Sequence, residues 1–104
     1  MAEFTLAFDY QIPQQLGLIE RKYHSLIRQT IEDQLRYQPD VETRNRKPLQ
    51  RPLGFGPGWE IRFGPDNRFR VFYRVDTQTQ TVRILAIGVK IGNRLFIGGE
   101  EVED

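Results

Sequence analysis

Between residues 59 and 75 the chain alternates with a period of two on both sides of a four-residue turn, and this pattern leaves little freedom in how the segment folds. Trp59, Ile61 and Phe63 alternate with Glu60 and Arg62; Gly64-Pro65-Asp66-Asn67 has turn chemistry; Phe69, Val71, Tyr73 and Val75 then alternate with Arg70, Phe72 and Arg74. Two such runs joined by a polar turn form an antiparallel hairpin. If Trp59, Ile61 and Phe63 share the core face with Phe69, Val71 and Tyr73, Arg62 must lie across from Arg70 on the other face, because a one-residue slip would invert every side chain. Like charges directly opposite destabilise a sheet by up to ~1 kcal/mol, so an anion is expected beside them. Glu60, two residues from Arg62 on the same face, is the internal candidate, and a phosphate is the external one. An ordinary solvated face with Glu60 neutralising Arg62 reads the same pattern equally well.

The remaining elements follow from periodicity and punctuation. Phe4, Leu6, Phe8 and Tyr10 alternate with polar or small residues, predicting a first strand over 3–10. Ile19, Tyr23, Ile27, Ile31 and Leu35 recur at four-residue spacing, predicting one amphipathic helix over 18–38 that Pro39 ends, with a shorter helical turn after Pro13 broken at Gly17. Residues 39–58 hold four prolines and a basic run without a period, predicting a long surface loop. After the turn Asp76–Gln80, Thr81–Val89 is apolar on both faces, as in a central strand, and Leu95–Ile97 predicts a last short one. The expected architecture is α+β: an antiparallel twisted sheet of about four to five strands with the N-terminal helices packed on one face. One domain over 1–99 is expected, followed by a frayed acidic tail over 100–104.

Composition narrows the function classes. The chain has no cysteine, which removes disulfides, thiolate nucleophiles and thiolate metal sites, and it has one histidine, His24, so no metal or cofactor is expected. No apolar stretch approaches the ~20 residues needed to span a bilayer, and no leader pattern opens the chain, so a soluble cytoplasmic protein without a membrane partner is expected. Net charge is only +1, but four acids, Glu100, Glu101, Glu103 and Asp104, crowd the end of the chain. Residues 44–74 carry eight bases, Arg44, Arg46, Lys47, Arg51, Arg62, Arg68, Arg70 and Arg74, against Glu60 and Asp66. That imbalance marks a candidate polyanion surface.

The candidate residues gather around the hairpin. The loop Thr43-Arg44-Asn45-Arg46-Lys47-Pro48-Leu49 sets bases beside its start, and Lys90 and Arg94 after the central strand are expected to close the same concavity. Basic loops are more often solubility features than sites, and the link to Arg62 and Arg70 is what tips this one. Such cations could stabilise the charge that develops in phosphodiester cleavage. Glu60 is a candidate base; His24, at the border of the helical stripe, reads as structural; Trp59 and Phe63 fit the inward alternation better than a base-stacking platform. Gly54-Phe55-Gly56-Pro57-Gly58 lacks the Lys-Ser/Thr ending of a phosphate-binding loop and reads as a turn.

Taken in order, the first strand, the helical pair, Trp59-Glu60-Ile61-Arg62, Arg68-Phe69-Arg70-Val71-Phe72-Tyr73-Arg74-Val75 and Ile87-Gly88-Val89-Lys90 resemble the RelE/ParE superfamily of bacterial type II toxins. Thr43–Leu49 and Asn93-Arg94-Leu95-Phe96-Ile97-Gly98-Gly99-Glu100-Glu101 look like a subgroup of it. The resemblance implies the toxin of a toxin–antitoxin pair. It would be held silent by a cognate antitoxin in a hetero-oligomer and, in the RelE manner, would cleave messenger RNA on the ribosome without a metal. By resemblance Arg70 takes the place of the central catalytic arginine, Arg62 that of a lysine on the preceding strand and Lys90 that of an arginine after the central strand. Arg44, Arg46, Lys47, Arg74 and Arg94 are the expected RNA-binding cations. Glu60 stands where RelE has another catalytic lysine, Phe96 where it has a C-terminal tyrosine, and Lys47 where a related toxin has a glutamate. A ParE-like inhibitor of DNA gyrase, or a degenerate antitoxin-binding module, are the alternative expectations.

Overall fold

A computed structural model describes residues 3–50 and 58–102. Among the described residues, seven strands and two α-helices run in the order β1 (Thr5–Phe8), α1 (Ile12–Gly17), a 3-10 turn (Arg21–Tyr23), α2 (His24–Leu35), β2 (Arg46–Pro48), β3 (Trp59–Phe63), β4 (Phe69–Asp76), β5 (Thr81–Ile91), β6 (Arg94–Ile97) and β7 (Glu100–Val102). They form a single sheet in the order β2-β3-β4-β5-β6-β7, with β1 also on β5. The class is the α+β one expected, with more strands than the four to five predicted.

The hairpin register is the expected one: Trp59 pairs with Tyr73, Ile61 with Val71, Arg62 with Arg70 and Phe63 with Phe69. Its turn depends on backbone that few residues adopt. Gly64 has φ 84°, and a Cβ there would lie 2.6 Å from the Phe69 ring; Asp66 and Asn67 follow in the left-handed region. On the next ladder Phe72 pairs with Ala86 and Tyr73 with Ile84, so Leu85 is an extra residue in β5. This bulge keeps Tyr73 and Ile84 on the helix-side core while Phe72 and Ala86 face the other way.

The main core lies between helices and sheet: Ile27, Ile31 and Leu35 of α2 pack with Ile61, Val71, Tyr73, Val82 and Ile84. A second, smaller cluster on the opposite face joins Phe72, Ala86 and Leu95, with Leu49 and Ile97 against it. Gly88 has no side chain because this cluster leaves no room: a Cβ would meet Leu95 at 3.0 Å and Phe72 at 3.2 Å.

Four expectations need correction. The sheet is not wholly antiparallel, since β1 runs parallel to β5, Thr5 beside Thr81 and Phe8 beside Ile84. The helix expected over 18–38 spans His24–Leu35, because Glu20 is extended (φ −52°, ψ 133°) and breaks the chain ahead of the 3-10 turn. At its other end the Gln34 carbonyl accepts from the Arg46 guanidinium and the Arg36 carbonyl from the Phe4 amide, so the last turn is capped before Pro39 is reached. The stretch read as a loop over 39–58 contains β2, which pairs with β3. Part of the tail expected to fray contributes β7, Glu100–Val102, paired with β6. Glu103, Asp104, Arg51 and the turn read at Gly54–Pro57 lie outside the described residues.

Tyr73 ties the post-helix segment to the core: its buried hydroxyl donates to the Pro39 carbonyl at 2.7 Å. Burial pushes its pKa well above the ordinary value near 10, with Asp40 adding to the shift and Arg46 opposing it. Tyr73→Phe leaves the Pro39 carbonyl without this donor and is expected to cost about 1–2 kcal/mol in urea unfolding at neutral pH. Because the folded pKa lies above the unfolded one, this tyrosine's contribution is complete below about pH 10 and is lost as pH rises toward the folded value. The stability gap between wild type and Tyr73→Phe should therefore narrow above about pH 10, and a gap that stays constant would contradict the assignment.

Candidate phosphate-binding face

The sheet surface away from the helices collects the charged residues of β2, β3 and β4. Register alone places them: Lys47 lies opposite Glu60, Glu60 opposite Phe72, Arg62 opposite Arg70 and Arg70 opposite Gly88. Glu60 is the anion between the two arginines. Its Oε1 accepts from Arg62 Nε at 2.8 Å and lies 2.8 Å from Arg62 Nη2, while Oε2 stands 3.9 Å from Arg70 Nη1. The three side chains differ sharply in exposure, at 8% for Arg70, 12% for Glu60 and 43% for Arg62. An enclosed guanidinium thus stands behind an accessible one. Arginine suits the enclosed position because its charge is delocalised and weakly hydrated.

Not all the expected cations reach this face. Lys47 does, across the ladder from Glu60, its Nζ 3.9 Å from Glu42. Arg74 is exposed at the far end of β4, opposite Arg83, which reaches Asp9 at 3.7 Å. Lys90 has the strand parity of Gly88 and Ala86 and follows them along β5, half-buried; it also borders a groove of about 590 Å³ shared with Tyr23, Arg68 and Ile91. Arg44 is exposed in the turn before β2, which the Thr43 hydroxyl organises by accepting from the amides of Asn45 and Arg46.

Arg46 and Arg94 stand elsewhere. Arg46 pairs with Ile61 on the core side and is buried, donating to the carbonyls of Val41 at 3.1 Å and Gln34 at 2.6 Å. It is a cross-link between α2, the following loop and β2. Arg94 shares the parity of Phe96, and Phe96 faces Gln15, Leu18 and Ile19 on the helix side. Arg94 lies over the Phe96 ring and is bonded to Glu101 at 2.7 Å. The concavity expected from Lys90 and Arg94 together is therefore not formed. His24 donates from Nε2 to the Ile19 carbonyl at 2.8 Å, and Trp59 stacks on Tyr73 with centroids 6.4 Å apart; both are held in packing. Among the described residues no group of three His, Asp or Glu side chains is placed to hold a metal.

Two features of the site escaped the sequence reading. Arg70 is nearly buried, where the alternation suggested an open polar face; the signal was Phe72, an apolar residue between Arg70 and Arg74 that draws cover over that surface. Gln15 is the other. It is buried, and its side-chain oxygen accepts from the Ile87 amide at 2.8 Å, fastening α1 to β5.

No family model matches the chain, and neither does any curated protein. Among solved structures the chain is similar to one in the toxin–antitoxin complex RelBE2 from Mycobacterium tuberculosis, with a TM-score of 0.70 and 23% sequence identity over 86% of this chain and 94% of that one. The likeness is one of fold: it establishes the α+β architecture that this chain shares with that one.

Arg46→Met should report on stability. It withdraws a buried donor from two carbonyls and is expected to lower unfolding free energy by about 2–3 kcal/mol in chemical denaturation. Arg44→Met, on an exposed turn, should stay within about 0.5 kcal/mol of wild type. Equal stabilities for the two variants would show that Arg46 is not the cross-link.

Proposed function

We propose that the chain is the toxin of a type II toxin–antitoxin pair and acts in the cytoplasm on ribosome-bound messenger RNA as an endoribonuclease that needs no metal or cofactor. The observation that carries this reading is the pairing of Arg62 with Arg70 on the sheet face that the helices leave uncovered. The likeness to a chain of a toxin–antitoxin complex supports the toxin and its antitoxin partner.

On this reading Arg62, the accessible guanidinium, grips the scissile phosphate, and Arg70 behind it stabilises charge and holds the geometry. Lys90 takes up further charge as the 2′-hydroxyl attacks its own phosphorus, the bond to the 5′-oxygen breaks, and a cyclic phosphate and a 5′-hydroxyl form. Arg44, Lys47 and Arg74 follow the RNA backbone. The ribosome supplies the alignment of message and attacking hydroxyl, which is a large part of the barrier in such intramolecular reactions. The antitoxin is expected to be a flexible segment that folds on binding and neutralises this face.

One observation favours the alternative in which the same fold inhibits DNA gyrase without cutting nucleic acid. Phe96 stands where RelE-type nucleases have a tyrosine, and it lies on the opposite side of the sheet from Arg62 and Arg70.

Message cleavage on purified ribosomes separates the two. Arg62→Ala should lower cleavage by roughly 10²-fold, the scale for one preorganised donor to a transition-state anion, with the fold intact because Arg62 is half exposed. Lys90→Ala should be milder and His24→Ala close to neutral. Arg70→Ala should abolish cleavage but also cost about 2 kcal/mol of stability, since its side chain, unlike that of Arg62, is nearly buried and its removal leaves unfilled space in the sheet face. Toxicity with intact messages and inhibited gyrase would replace the nuclease reading by the gyrase one. Antitoxin binding without any toxicity would leave a regulatory module.

A further inference from the structure

Binding a polyanion does not by itself call for a carboxylate among the cations, yet Glu60 is held there by both arginines. Oε1 faces Nε and Nη2 of Arg62, and Oε2 faces Arg70. Arg62 thus closes two nitrogens on one carboxylate oxygen while Arg70 stands at ion-pair distance from the other, and a phosphodiester offers a comparable pair of oxygens with the same single charge. The contact is open from one side, because Arg62 is 43% exposed. A second cation waits one strand away: Lys47 is the direct cross-strand neighbour of Glu60, and its 3.9 Å contact with Glu42 joins two exposed side chains and is weak.

We propose that the Glu60 carboxylate is a resident counterion occupying the phosphate position between Arg62 and Arg70, and that a phosphodiester enters by taking its place while Glu60 turns to Lys47. This rests on the reading of the face as phosphate-binding and names its gate. Glu60 and Lys47 are positioning residues: one keeps two like charges together in the empty protein, and the other receives the displaced carboxylate. An isolated phosphate must compete with an anion already in place. A polymer that also engages Arg44 and Arg74 has that competition offset by its other contacts, so the exchange favours extended RNA over small phosphates.

The test compares wild type with Glu60→Gln, Lys47→Gln and Glu32→Gln, using pyrophosphate and a short fluorescent single-stranded RNA as probes. Pyrophosphate binding is read from the Arg62 Nε–H resonance, and RNA binding from anisotropy. Glu60→Gln should bind pyrophosphate about tenfold tighter, the scale of one partly exposed charge contact removed. Lys47→Gln should bind it several-fold more weakly. Glu32→Gln makes the same charge change on α2 and should stay within about twofold. The proposal is overturned if Glu60→Gln binds no tighter than Glu32→Gln, or if pyrophosphate leaves the wild-type Arg62 resonance unmoved; the latter measurement decides alone should Glu60→Gln fail to fold. Exchange seen with pyrophosphate but no binding to RNA or ribosomes would uphold the counterion and sink the nuclease. RNA binding that Glu60→Gln leaves unaltered would do the reverse.

Discussion

Over Phe69–Tyr73, strand β4 is enclosed on both faces and paired along both edges, and its register against β3 sets Arg62 and Arg70 side by side on the outer face. Phe69, Val71 and Tyr73 fill the helix-side core, while Phe72 fills the opposite cluster. A slip of one residue would turn Arg62 into the main core and expose Ile61 and Phe63, at a loss of several kcal/mol in apolar burial alone. The opposition of Arg62 to Arg70 is thus a consequence of core packing, whose gain exceeds the ~1 kcal/mol that like charges cost across a ladder. Glu60, fixed on the same face by the same alternation, offsets that cost.

A second constraint lies along β5. Its edge away from β4 is shared by β1, parallel over Thr81–Ile84, and β6, antiparallel over Gly88–Ile91. Two strands meeting on one edge leave backbone groups between them, and a buried amide without an acceptor is costly. The Ile84 carbonyl is met by the Asp9 amide just beyond β1, and the Ile87 amide by the Gln15 side chain. A helix thereby completes the sheet, and this accounts for a glutamine buried in an otherwise apolar setting.

These constraints mark what a sequence shows and what it conceals. The hairpin and the helical stripe were legible because apolar residues repeat at the period of the element they form. Strand direction was not, since alternation in Phe4–Tyr10 is the same whether the neighbour runs parallel or antiparallel. The short strand β2 was hidden because its core-facing residue is Arg46, whose charge is satisfied by carbonyls instead of water. Ile19 and Tyr23 keep the four-residue spacing of α2 across a break in the chain, so the helix read longer than it is. In the candidate site, Arg62 and Arg70 could be placed by parity, whereas Lys47 sits in the hidden strand β2 and Lys90 stands near the end of a strand that is apolar on both faces. Arg94 could not be so placed, because the reversal at Gly92 (φ 61°) and Asn93 resets the count before β6 begins.

The unequal burial of the two arginines bears on how such a face works. A fully exposed pair of long cationic side chains has many rotamers to lose when it closes on an anion, a cost near 2 kcal/mol for each. Arg70, enclosed beside Glu60 and across from the side-chain-free Gly88, has met that cost during folding. Arg62 retains part of its freedom at the surface but is already drawn toward the same point by the carboxylate. The protein therefore holds both guanidinium groups about a single carboxylate, the arrangement that the proposed phosphate site calls for. On the proposed reading, preorganisation and occupancy have one cause: the carboxylate that draws the two arginines together is also what an incoming phosphate would displace.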